Sequence, residues 1–193
     1  MAVLLGGIVA LFFGAWTPGL VRETLHYNCS WGIGGEWGPE GTWSCADGIG
    51  YLAAAATLGG MSALLVVAGL LTSVARPSRG RAVVFLMLAA ISLGWIGWWT
   101  FYGATSYLGP RPNGETGQGL WGAAILPSML LCTIGLIAGA IGVLTMGRRS
   151  SVALWCGVGL MVVGTALQPG TGIATFVSAG MLVAAAVGRE RVR

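Results

Sequence analysis

The sequence predicts an all-α integral membrane protein, a six-helix transmembrane bundle with a disulfide-closed outer loop. Three observations carry this. Of 193 residues, 55% are hydrophobic and only 8% charged, where a soluble domain carries roughly 25% charged residues. The apolar residues fall into runs close to the ~20 needed to cross about 30 Å of hydrocarbon. All ten basic residues are arginines, and eight of them cluster in short segments between or after those runs, the pattern of topology-setting charge.

Ala2 to Leu20 is the first span. It has no basic leader, is longer than the apolar part of a signal peptide, and shows no small-x-small cleavage site before Arg22, so it reads as a retained helix. Residues 22–49 form the first and longest outer loop. Gly50 to Ala75 is the second span, closed by "RPSRGR", and Ala82 to about Tyr102 is the third, followed by the polar "GPRPNGETGQG". Leu120 to Met146 is the fourth, with Pro127 placed to kink it near its outer end. Val152 to Gly188 holds two apolar runs separated by "QPGTG". Each run is about 15 or 16 residues, or about 24 Å of helix, which fits two short spans or a re-entrant hairpin. Six spans are preferred, and residues 1–193 then form a single polytopic domain.

Arginine placement orients the chain. Arg76, Arg79 and Arg81, then Arg148 and Arg149, then Arg189, Arg191 and Arg193 all fall on one side of an even-span model. The positive-inside rule makes that side, with both termini, cytoplasmic. Arg22 and Arg111 are left outside. The absence of lysine beside abundant Gly and Ala points to a GC-rich bacterial genome, hence to a bacterial cytoplasmic membrane.

The outer loop contains "HYNCSWGIGGEWGPEGTWSCADG", which gathers the only histidine, two of four cysteines and three of nine tryptophans. Outside the cytoplasm disulfides persist, so Cys29 and Cys45 are expected to be bonded to each other. Closing a loop of this size removes about 3 kcal/mol of unfolded-chain freedom. A redox-active dithiol fits less well, because there is no C-x-x-C and no adjacent cation. Cys132 and Cys156 fall inside spans and read as small hydrophobes. Tryptophan and tyrosine concentrate on the outer half of the chain, beyond what a two-sided interfacial belt requires. Trp31, Glu36, Trp37, Glu40, Trp43 and Asp47, with Trp95, Trp98, Trp99 and Tyr102 as a floor, form the candidate outer binding surface. Rings rimmed by carboxylates suit an apolar or cationic ligand or a partner protein; the alternative is that they only pack the loop against the bilayer.

The spans themselves contain no Asp, Glu, Lys, Arg or His, which argues against proton-coupled transport, ion pumping and intramembrane metal chemistry. One histidine without ligand spacing predicts no metal site, and no cofactor or hydrolase motif occurs. Scattered arginines make no basic face for nucleic acid. Gly135 and Gly139 share one helix face, and Gly157 and Gly164 mark another, as close helix packing requires. The bilayer is the first partner implied, and a membrane-protein partner or a second copy the next. The function expected is non-catalytic, an accessory or assembly subunit acting through outer loops and helix faces. A small carrier or channel for a neutral or apolar solute is the second reading, and an outer-interface enzyme acting on a lipid or quinone the third.

Overall fold

The computed structural model describes residues 1–32, 39–145 and 148–190. Among them are six helical stretches long and apolar enough to cross a membrane: Ala2–Thr24, Gly48–Val74, Arg79–Thr105, Leu126–Leu144, Ser150–Leu167 and Pro169–Val187.

The first stretch changes pitch along its length. α1 (Ala2–Phe13) tightens into a 3-10 turn at Gly14–Trp16, resumes as the single turn α2 (Thr17–Gly19), and widens into a π turn at Leu20–Thr24. Pro18 is the cause of the first change. It has no N–H to give the Gly14 carbonyl, and Thr17 N–H takes that acceptor in 3-10 fashion. A two-stranded antiparallel hairpin follows, β1 (Cys29–Trp31) with β2 (Trp43–Cys45). α3 (Leu52–Val74) and α4 (Arg79–Thr105) form the second and third crossings. Ser78 caps α4, its hydroxyl accepting from Arg81 N–H at 3.1 Å.

The fourth crossing is not one helix. α5 (Gly117–Ala124), capped by Thr116, ends at Ile125, and α6 (Leu126–Leu144) begins there. Pro127 lies in the first turn of α6, where its missing N–H is tolerated and where it cannot extend the helix before it. The last two crossings are longer than their apolar runs. α7 (Arg148–Leu167) starts at the arginine pair and α8 (Gly172–Glu190) runs into the following charges. The helices recruit polar flanking residues that hydropathy alone discards. Crossing stretches of 18 and 19 residues reach about 27–29 Å, which favours two spans over a hairpin.

α8 occupies the centre. In its crossing window 78% of residues are buried, against 28–39% in the other five. It touches α1, α3, α4, α6 and α7. Small residues make this possible. A Cβ on Gly6 of α1 would sit 2.9 Å from Gly180 Cα of α8, so the two backbones are in contact. Hydroxyls fasten the other sides: Ser92 of α4 donates to Ala174 O at 2.9 Å, Ser178 donates to Ala89 O at 3.0 Å, and the Thr165 and Thr175 hydroxyls lie 2.6 Å apart. These four hydroxyls, buried in apolar surroundings, are thereby paired.

The two ends of the bundle differ. Val3, Ser73, Arg81 and Val187 meet around one cavity, and Arg79 reaches Leu144 O at 2.9 Å, so the starts of α1 and α4 share an end with the finishes of α3, α6 and α8. This is the arginine end. The hairpin, Tyr107 and the α7–α8 turn lie at the other. There Thr17 donates to Gly170 O at 3.0 Å and Gln168 to Ala124 O at 3.2 Å.

Candidate functional site

The hairpin is held at its base by the Cys29–Cys45 disulfide, the two residues being direct register partners. The chain enters it through an abrupt turn in which His26 and Asn28 both adopt left-handed backbone, with φ of 51° and 58°. Asparagine tolerates this conformation; histidine does so at a cost of about 1–3 kcal/mol that surrounding structure must offset.

The offset is visible around Trp43. The His26 imidazole stacks on its indole at 4.1 Å between ring centroids and 13° between planes. Trp31 and Tyr107 meet the same indole edge-on at 5.3 and 5.6 Å. The Arg111 guanidinium lies 6.0 Å from the Trp43 ring and 5.3 Å from Tyr107, within reach of cation–π attraction. Arg111 also donates to Ala104 O at 2.8 Å and Tyr107 O at 3.3 Å, capping the end of α4. Trp31 N–H donates to the Tyr107 hydroxyl at 3.1 Å, which locks the hairpin to the loop after α4. Burial lowers the His26 pKa, and the Arg111 charge adds to that; the Arg22 backbone and Glu115 act in the opposite direction. The imidazole is therefore neutral at neutral pH.

A cleft of about 560 Å³ opens between the hairpin and the end of α4, lined by Tyr27, Asn28, Ser30, Ser44, Tyr102 and Tyr107 beside the disulfide. It presents hydroxyls, an amide and ring faces, with no charged side chain among the described residues.

The residues expected to form one surface are divided by the structure. Trp31 and Trp43 belong to the hairpin cluster. Trp99 is 5% exposed and packs against Tyr27 at 5.3 Å, a core residue beneath the hairpin. Trp95, Trp98 and Tyr102 form a separate ladder along α4, with centroid distances of 5.3 and 5.9 Å. Trp98 and Tyr102 are exposed on its outer side. Glu40 and Asp47 are exposed and form no ion pair among the described residues. Glu36 and Trp37 lie outside the described residues.

The sequence reading did not include Tyr107, Arg111 and His26 in this surface. Arg111 carried a usable signal as one of only two arginines outside the topology pattern. His26 with Cys29 and Cys45 brings one nitrogen and two sulfurs within 4.8 Å of one another. With the sulfurs bonded to each other neither is a thiolate, so only the imidazole is left as a ligand.

The packing glycines lie between helices of this same chain. Gly135 and Gly157 face each other across α6 and α7, a Cβ on either lying 2.5–2.6 Å from the other's carbonyl. Gly139 packs against Leu182 of α8, and Gly164 against Cys132 and the Ser128 carbonyl. No family model matches the sequence, and no curated protein or solved structure matches it either.

Proposed function

We propose that this chain is a non-catalytic multi-pass membrane protein that works by binding, as an accessory or assembly subunit of a larger membrane complex. The arginine end faces the cytoplasm and the hairpin end faces outward, in a bacterial cytoplasmic membrane. The observation that carries the reading is the contrast between a filled interior and an elaborated end. α8 fills the bundle axis, and the buried polar side chains among the described residues are serines and threonines only. Such an interior supports neither a solute path along the axis nor proton-linked work. At the hairpin end a disulfide, a histidine in left-handed backbone and an arginine hold one tryptophan cluster in place, a degree of preorganisation suited to recognition. No carboxylate forms an ion pair with His26 among the described residues, which leaves an acid–base pair for interface catalysis without support.

The positive-inside rule supports the sidedness, since the arginine end collects the segments around Arg76 to Arg81, Arg148 and Arg189. Extraction into nanodiscs through a C-terminal tag, followed by mass spectrometry, tests the assembly reading. The expected result is a second membrane protein at fixed stoichiometry, lost when Trp98 and Tyr102 are both replaced by Ala. Recovery of the chain alone, or only with copies of itself, overturns it.

A further inference from the structure

Two cavities follow one another along the seam between α1 and α3, with α8 at their back. The first, of about 440 Å³, lies at the arginine end and is walled by Val3, Ser73, Arg76, Arg81, Phe85 and Val187. The second, of about 240 Å³, begins at the next residue of α1, Leu4, and continues to Leu11, faced by Gly59, Ala63 and Val67 of α3. The seam gapes because α1 is drawn onto α8 by the Gly6–Gly180 backbone contact, while towards α3 it meets side chains, a Cβ added at Gly7 lying 3.0 Å from a Val66 methyl.

The two cavities have opposite chemistry. In the first, Arg81 is fixed, donating to Ala75 O at 2.8 Å with its guanidinium 5.9 Å from the Phe85 ring. Arg76 is exposed and has no hydrogen bond or ion pair among the described residues. No carboxylate lines the cavity among the described residues. The second cavity is apolar apart from Ser62. From Val3 to Leu11 is about 12 Å of helix rise, close to the roughly 15 Å that one leaflet contributes to the hydrocarbon.

We propose that this seam is a binding site for one anionic phospholipid of the leaflet at the arginine end. Its phosphodiester lies against Arg76 and Arg81 and one acyl chain runs in the groove towards Leu11. The charge and the groove together select this occupant. A transmembrane helix of a partner would cover the groove but leave two guanidinium groups at its mouth without a counter-charge, and a free phosphate would leave the groove empty. Basic pockets between helix ends at the cytoplasmic face are suited to anionic headgroups.

Native mass spectrometry of the full chain, purified in neutral detergent and offered equal amounts of phosphatidylglycerol and phosphatidylcholine, tests this. Phosphatidylglycerol is expected to be retained in preference, one per chain. Arg76→Gln is expected to weaken that retention about fivefold, the factor one basic group at an anionic surface is worth, without changing phosphatidylcholine. Arg76 is chosen over Arg81 because Arg81 also caps α3. Gly59→Leu, at a position where an added Cβ meets nothing within 4 Å, fills the groove and is expected to reduce retention while the melting temperature is kept. Equal retention of the two lipids, or an unchanged Arg76→Gln, overturns the site. Displacement of the lipid by millimolar inorganic phosphate, or an unchanged Gly59→Leu, overturns the lipid assignment and leaves a phosphate site.

Discussion

His26 shows how a single residue can set the behaviour of the outer cluster. Its imidazole is held neutral by burial and by the Arg111 charge, so its folded pKa lies below the ordinary value near 6.5. Protonation favours the open state, in which the ring is solvated. The stability this residue contributes is therefore complete above pH 6.5 and is lost as pH falls from there through the folded pKa. Tryptophan fluorescence followed from pH 7.5 to 4.5 is expected to show the hairpin loosening on the acid side, and His26→Gln is expected to abolish that transition. A cluster that tightens in acid would contradict the assignment. The disulfide acts on the same segment through the unfolded chain. Replacing Cys29 and Cys45 together by Ser is expected to destabilise the hairpin by about 3 kcal/mol, read as increased quenching of Trp43 by acrylamide. The pairing of these cysteines was legible because only two of the four fall outside the spans. Stacking of His26 on Trp43 was not legible, since it depends on a left-handed φ that nothing in "LHYNC" announces.

Elements in this chain begin and end where backbone groups find partners, and side chains supply many of those partners. Arg79, Arg81 and Arg111 each donate to carbonyls at the end of a helix, at Leu144, Ala75 and Ala104, which satisfies acceptors that helix geometry leaves open. Read in sequence, the first two of these arginines carried only an orientation signal; the caps were hidden because each joins segments distant from the arginine or across a turn. Hydropathy located all six crossings, and it shortened the last two because Arg148–Ser151 and Gly188–Glu190 are polar yet helical. Glycine spacing was informative about faces and silent about which face met which. Gly157→Val places a branched side chain against the Gly135 carbonyl and is expected to cost about 1–3 kcal/mol or more through overpacking. Gly159→Ala, two residues along α7 where an added Cβ meets nothing within 4 Å, is expected to leave the melting temperature in detergent nearly unchanged. If the two variants melt together, the α6–α7 contact is not close.

At the scale of the molecule, the two ends can be told apart chemically. Cysteine introduced at Ser78 lies at the arginine end and at Ser106 at the hairpin end. A membrane-impermeant maleimide applied to intact cells is expected to label Ser106→Cys and to spare Ser78→Cys until the membrane is opened. The reverse pattern would invert the proposed orientation. The six long apolar helices were readable from the apolar runs, with the last two open between two short spans and a hairpin, but the arrangement was not. Nothing in the apolar run of α8 marks it as central, because its alanines and its Thr175 and Ser178 become informative only once their partners Thr165 and Ala89 are known. That central position also has a consequence in time. α8 leaves the ribosome after the other five crossings, so α1, α4 and α7 enter the bilayer without the surface they pack on, and Ser92 waits for the Ala174 carbonyl it brings. The bundle is therefore expected to close late and in one step, with the earlier helices exposed until then to the proteases and chaperones of the membrane.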